Sequence, residues 1–75
     1  MPHIAVSLYP GRDQGRKQEI ANKLKDFMVS ELNFPAEAIS VSIVEIEPDS
    51  FVETIQQRYD DKDLYIPSKS VKSLT

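Results

Sequence analysis

Apolar residues alternate with small or polar ones at the start of the chain. Ile4, Val6 and Leu8 share one face of an extended segment, and Ala5 and Ser7 share the other. This period of two predicts a strand over residues 3–9, closed by Pro10-Gly11. The period then changes. Ile20, Leu24, Phe27, Met28 and Leu32 recur at steps of three and four, while Arg16, Lys17, Glu19, Asn22, Lys23, Lys25 and Asp26 fill the other face. The pattern predicts an amphipathic helix over residues 13–33, about 30 Å long at a rise of about 1.5 Å per residue. Asp13 is its expected N-cap, and Gly15 weakens its first turn. Asn33-Phe34-Pro35 ends it, because a residue before proline avoids helical geometry.

Residues 39–47 return to the period of two. Ile39, Val41 and Ile43 fall on one face, with Ser40, Ser42, Val44 and Ile46 on the other. Pro48-Asp49 punctuates this second strand. Phe51, Ile55 and Tyr59, four residues apart, predict a short helix over residues 50–60. The tail, residues 61–75, is mostly polar. Its Leu64-Tyr65-Ile66 piece is expected to lie extended against a neighbouring subunit, and residues 68–75 to be loose at the end.

Strand, long helix, strand is a βαβ unit of the α/β class. Its strands should run parallel through a right-handed crossover, within one domain spanning residues 1–75. A two-stranded sheet with one covering helix leaves edges and a sheet face open. Length leads to the same place. A chain of 75 residues buries only about 60–65% of its unfolded surface, and such a core supplies about 3–5 kcal/mol. Without cysteine there are no disulfides or thiolate metal sites, and a single histidine does not make a protein-only zinc site. Self-association is the remaining device, so a homo-oligomer is expected and no cofactor is.

Twelve acidic residues against nine basic ones give a net charge of −3, which argues against a nucleic-acid partner. No apolar run approaches a membrane span, and the first residues lack the basic start of a signal peptide. A soluble cytoplasmic protein with no membrane partner is expected.

One residue then changes the picture. Pro2 follows the initiator methionine directly. If Met1 is removed, the Pro2 ring nitrogen becomes a secondary amine instead of an amide. Terminal amines have a reference pKa of about 7.7–8.0, and an apolar wall lowers it by disfavouring the charged form. Such a nitrogen is a candidate general base. A guanidinium nearby, such as that of Arg12, would lower it further.

Pro2-His3-Ile4, Gly11-Arg12-Asp13 just before the helix, and the Ser40-Val41-Ser42-Ile43 strand leading to Phe51 occur in an order that resembles the 4-oxalocrotonate tautomerase family. The resemblance covers roughly residues 2–55, and the Leu64-Tyr65-Ile66-Pro67 tail looks closer to the family's dimeric subgroup than to its hexamers. It implies a cofactor-free keto–enol isomerase. Pro2 would take a proton from the carbon beside a carbonyl and return it further along the conjugated system. Arg12 would bind a substrate carboxylate, and Phe51 would keep the pocket apolar. The family's second arginine, which polarises the substrate carbonyl, corresponds to Ser40. Ser40 is therefore expected to touch substrate as a neutral hydrogen-bond donor. Charge-assisted bonds are roughly twice as strong as neutral ones, so the substitution favours a monocarboxylate enol, such as a phenylenolpyruvate, over a dicarboxylate.

Blander readings stand beside these. Pro2 can be a strand-start proline whose missing N–H costs nothing. Arg12 can be a solvated loop residue beside Asp13, and Phe51 simple core. His3, turned away from its neighbour by strand alternation, reads as structural. Ser40 and Ser42 read as ordinary strand residues, with contact to substrate by either as the alternative, Asp60-Asp61-Lys62-Asp63 as solvated surface, and Tyr59 and Tyr65 as interface packing. Two alternatives to the isomerase remain: a non-catalytic oligomeric module that binds a small acid, if Met1 is retained, and a hydratase- or dehalogenase-type member of the same superfamily.

Overall fold

The computed structural model describes residues 1–68. They form two compact units, divided after Glu45. The expectation for the last residues of the tail lies outside the described residues.

The first unit is the βαβ unit. Strand β1 (His3–Leu8) leads to helix α1 (Gln14–Ser30), a short 3-10 turn (Ala36–Ala38) and strand β2 (Ser40–Glu45). β1 and β2 pair in parallel, with His3 opposite Ser40 and Leu8 opposite Glu45. The period of two places the side chains as expected. Ile4, Val6 and Leu8 are half-buried with Val41 and Ile43, and Ile39 at the entry to β2 is buried. His3, Ala5, Ser40 and Val44 are exposed on the opposite face.

Asp13 caps α1 as its position predicts, its carboxylate accepting the Arg16 N–H at 2.8 Å. The helix stops three residues short of the expected end. Asn33 adopts a left-handed conformation (φ 62°), and the Phe34 N–H returns to the Met28 carbonyl at 3.2 Å. Asparagine tolerates that geometry better than most residues, so the reversal lies at Asn33 itself as well as in the proline that follows. Lys17, Ile20, Ala21, Leu24 and Met28 form the half-buried stripe. Phe27 lies about 100° around the helix from Met28 and is 53% exposed, and Leu32, beyond the helix, is 50% exposed.

The second unit contains helix α2 (Pro48–Arg58) and a 3-10 turn (Asp61–Asp63). Pro48 opens this helix and does not merely precede it. A first-turn proline has the required φ and lacks only an N–H that has no intrahelical partner anyway. Asp49 in the first turn and Arg58 in the last complement the helix dipole. Ile46 and Ile55 are buried, Phe51 and Val52 are half-buried, and Tyr59 ends the helix in an extended conformation. Ile46, expected on the same face of the second strand as Ser40, Ser42 and Val44, lies beyond its end. Leu64 is half-buried, whereas Tyr65 and Ile66 are 92% and 95% exposed. No large side chain is fully buried among the described residues, and none of their helices is long and apolar enough to cross a membrane.

Candidate active site

Pro2 sits at the entry of β1, half-buried, with exposed Met1 ahead of it. Its carbonyl accepts the Ser40 N–H at 3.2 Å, the bond that begins the parallel ladder. Proline suits this place because its carbonyl is used and an N–H would have no strand to meet. With Met1 attached the Pro2 nitrogen is an amide, and it becomes basic only when Met1 leaves.

The register sets three polar side chains beside Pro2. His3 stands opposite Ser40, and Ala5 opposite Ser42. The His3 ring spans both serines. Its Nδ1 lies 2.6 Å from Ser40 Oγ and its Nε2 lies 2.9 Å from Ser42 Oγ. By strand position alone His3 is structural and Ser40 and Ser42 are ordinary strand residues, yet the register joins the three. The signal was present in the pattern: parallel pairing lays the polar face of β1 beside the polar face of β2, and the only ring of the former meets the hydroxyls of the latter.

Arg12 lies at the other end of the unit. The six residues of β1 carry the chain about 20 Å from Pro2, at about 3.3 Å per residue. Gly11 then turns it with a φ of 125°. Arg12 is exposed, and its Nη1 donates to the Tyr9 carbonyl at 3.4 Å. One chain therefore does not bring Arg12 beside Pro2, and the sequence expectation that this guanidinium tunes the Pro2 nitrogen is not met within a single copy. Phe51 is half-buried on α2 in the second unit.

A groove of about 250 Å³ runs between α1 and β2, lined by Gln14, Lys17, Gln18, Ala21, Val41 and Ile43. Lys17 pairs there with Glu45 at 3.5 Å. The groove lies on the helix-covered face of the sheet, whereas the His3 cluster lies on the open one. Asp61, Lys62 and Asp63 are exposed in their turn, and no described residues group as ligands for a metal ion.

Similarity to known proteins bears on this arrangement. A probable tautomerase of Xylella fastidiosa (strain 9a5c) is 33% identical over 55 residues, 73% of this chain and 67% of that protein. The crystal structure of TomN, a 4-oxalocrotonate tautomerase homologue in the tomaymycin biosynthetic pathway, superposes with a TM-score of 0.61 at 29% identity. The match covers 64% of this chain and 74% of TomN. The family described as tautomerase enzyme matches residues 2–53, a region that opens on Pro2 and takes in both strands, Arg12 and Phe51. With a βαβ unit of parallel strands behind it, the chain belongs to the tautomerase family.

Proposed function

We propose that the protein is a cofactor-free tautomerase that interconverts the enol and keto forms of a small unsaturated 2-keto acid, with Pro2, freed of Met1, as the general base. The placement of Pro2 carries the reading. It is half-buried, fixed by the Ser40 N–H at the head of the parallel ladder, and stands at the start of the family match. A base that moves a proton between carbons must be neutral, held still and partly dehydrated. In the keto-to-enol direction Pro2 takes the proton from the carbon beside the carbonyl and gives it up at the carbonyl oxygen, and ketonisation runs the same transfer in reverse, so no oxidant or metal enters the balance.

Arg12 anchors the substrate carboxylate, and the length of β1 favours its coming from another copy of the chain. Self-association is supported by the open sheet face and by exposed Phe27, Leu32, Val44, Tyr65 and Ile66. A dimer is the favoured assembly, and light scattering separates it from a hexamer. Phe51 supplies apolar wall and Ser40 a neutral donor to the carbonyl oxygen. A neutral donor in place of a charged one favours monocarboxylate enols over dicarboxylates.

The test is the ketonisation of phenylenolpyruvate by tag-free protein whose intact mass shows the loss of Met1. Pro2→Ala, with far-UV circular dichroism unchanged, lowers the rate at least about a hundredfold. Full activity in that variant, or in protein that keeps Met1, overturns the assignment. A mass that retains Met1, with no turnover, favours the non-catalytic acid-binding module.

A further inference from the structure

The His3–Ser40–Ser42 cluster has no part in proton transfer by Pro2, yet it stands at the same end of the sheet. We infer that His3 is a positioning residue that directs the Ser40 hydroxyl proton onto the substrate's carbonyl oxygen, with Ser42 holding the far side of the ring. This inference rests on the reading of Pro2 as the base.

A neutral imidazole has one N–H and one bare nitrogen. Here both nitrogens face hydroxyls, at 2.6 Å and 2.9 Å, so the two serines take opposite roles. With the proton on Nδ1, the ring donates to Ser40 Oγ, Ser42 donates to Nε2, and the Ser40 O–H is free. With the proton on Nε2 the roles reverse, and the Ser40 O–H is consumed by the ring. A carbonyl oxygen arriving at Ser40 needs a donor and therefore selects the Nδ1–H form.

Position makes Ser40 the useful hydroxyl. Its own N–H holds the Pro2 carbonyl at 3.2 Å, so its side chain leaves the sheet one inter-strand bond away from the base. Negative charge develops on the carbonyl oxygen as Pro2 removes the neighbouring carbon's proton, and a donor already aimed there stabilises that charge without reorganising. Hydrogen bonds in series polarise one another, so the run from Ser42 through His3 makes Ser40 a stronger donor than an isolated serine. The run partly offsets the absence of a guanidinium at this position. No bond is made or broken in the cluster, and the substrate proton still travels between carbon and oxygen by way of Pro2.

Ketonisation of phenylenolpyruvate by the Met1-free protein tests this. Ser40→Ala and His3→Gln each lower kcat about tenfold with KM nearly unchanged, because the donor acts in the transition state. His3→Asn, whose amide N–H falls near the Nδ1 position, and Ser40→Thr, which keeps the hydroxyl, each recover most of that loss. Wild-type kcat in Ser40→Ala, while Pro2→Ala is impaired, removes the inference and leaves the base standing. Equal losses in His3→Asn and His3→Gln also overturn it, since a ring needed only for packing does not distinguish the two amides. If Pro2→Ala is as active as wild type, the base reading falls and the inference with it. His3 is the only histidine, so its ring nitrogens give unambiguous ¹⁵N signals. Added phenylpyruvate shifts them to the Nδ1–H form, and persistence of Nε2–H overturns the proposed polarity.

Discussion

The two ends of β1 differ in kind. At the entry, Pro2 is half-buried, locked by a ladder hydrogen bond and flanked by a three-residue polar cluster. At the exit, Arg12 is exposed on a glycine turn and held by one long bond to the Tyr9 carbonyl. A base benefits from being fixed and partly dehydrated. A guanidinium that must meet a carboxylate benefits from being extended and available. About 20 Å of strand, several times the reach of an arginine side chain, keeps the two apart. In the proposed enzyme each pocket therefore joins the entry of one chain to the exit of another, and self-association completes the site as well as the core.

Mixing variants gives the largest effect that can break this comparison. At substrate well below KM, where both variants are slow, Pro2→Ala and Arg12→Ala regain activity when unfolded together and refolded. In a symmetric dimer about a quarter of the pockets then contain both native residues, and turnover recovers to about a quarter of wild type. If mixing restores nothing, both residues are needed within one chain and the division of labour along β1 fails.

Arg12→Ala alone sharpens the same point with a smaller effect. Removing a charge-assisted carboxylate contact costs about 1.5–3 kcal/mol. KM for the enol acid should rise about tenfold to a hundredfold, while the melting temperature barely moves because the residue is exposed. A large loss of stability instead would make Arg12 a structural residue.

Much of the first unit was legible because local chemistry and tertiary demand agree there. Alternation at Ile4-Ala5-Val6-Ser7-Leu8 and Ser40-Val41-Ser42-Ile43 fixed both strands and their faces. Asp13 named its own cap by chemistry that needs no partner beyond Arg16. The errors fall where one residue type serves two uses. Pro48 punctuates a strand or opens a helix, and only the Glu47 carbonyl accepting the Ser50 N–H at 3.1 Å shows which. Phe27 fits a stripe by spacing, but the half-buried stripe is the neighbouring one through Leu24 and Met28. The site was legible as residue types and not as geometry. Spacing along the chain marks Pro2 and Arg12 as a pair, yet it carries no information on which copy supplies each. Alternation shows only which face the His3 side chain occupies, while its bonds to Ser40 and Ser42 depend on the register between strands.

Gly11→Ala probes the exit of β1 through the backbone. A φ of 125° strains any residue with a Cβ, although here the added methyl would meet nothing within 4 Å. The cost is then conformational alone, about 1–3 kcal/mol, and the turn that presents Arg12 shifts to relieve it. Melting temperature should fall and KM should rise together. A stable variant with an unchanged KM would show that the turn does not set the position of Arg12.

Gly15→Ala, four residues on, has the smallest expected effect and the opposite sign. Gly15 lies within α1, and a Cβ there would sit 3.6 Å from Asp13 Oδ1, an ordinary contact that leaves the cap in place. Alanine stabilises a helix relative to glycine, largely by reducing the freedom of the unfolded chain, and in the first turn the gain is about 0.5 kcal/mol. The thermal midpoint should rise by about 2–4 °C with KM unmoved. Because both glycines flank Arg12, the pair separates general stability from presentation of the guanidinium. If Gly15→Ala raised KM as Gly11→Ala does, Arg12 would depend on the helix start as a whole, and its freedom at the strand exit would be an incorrect description.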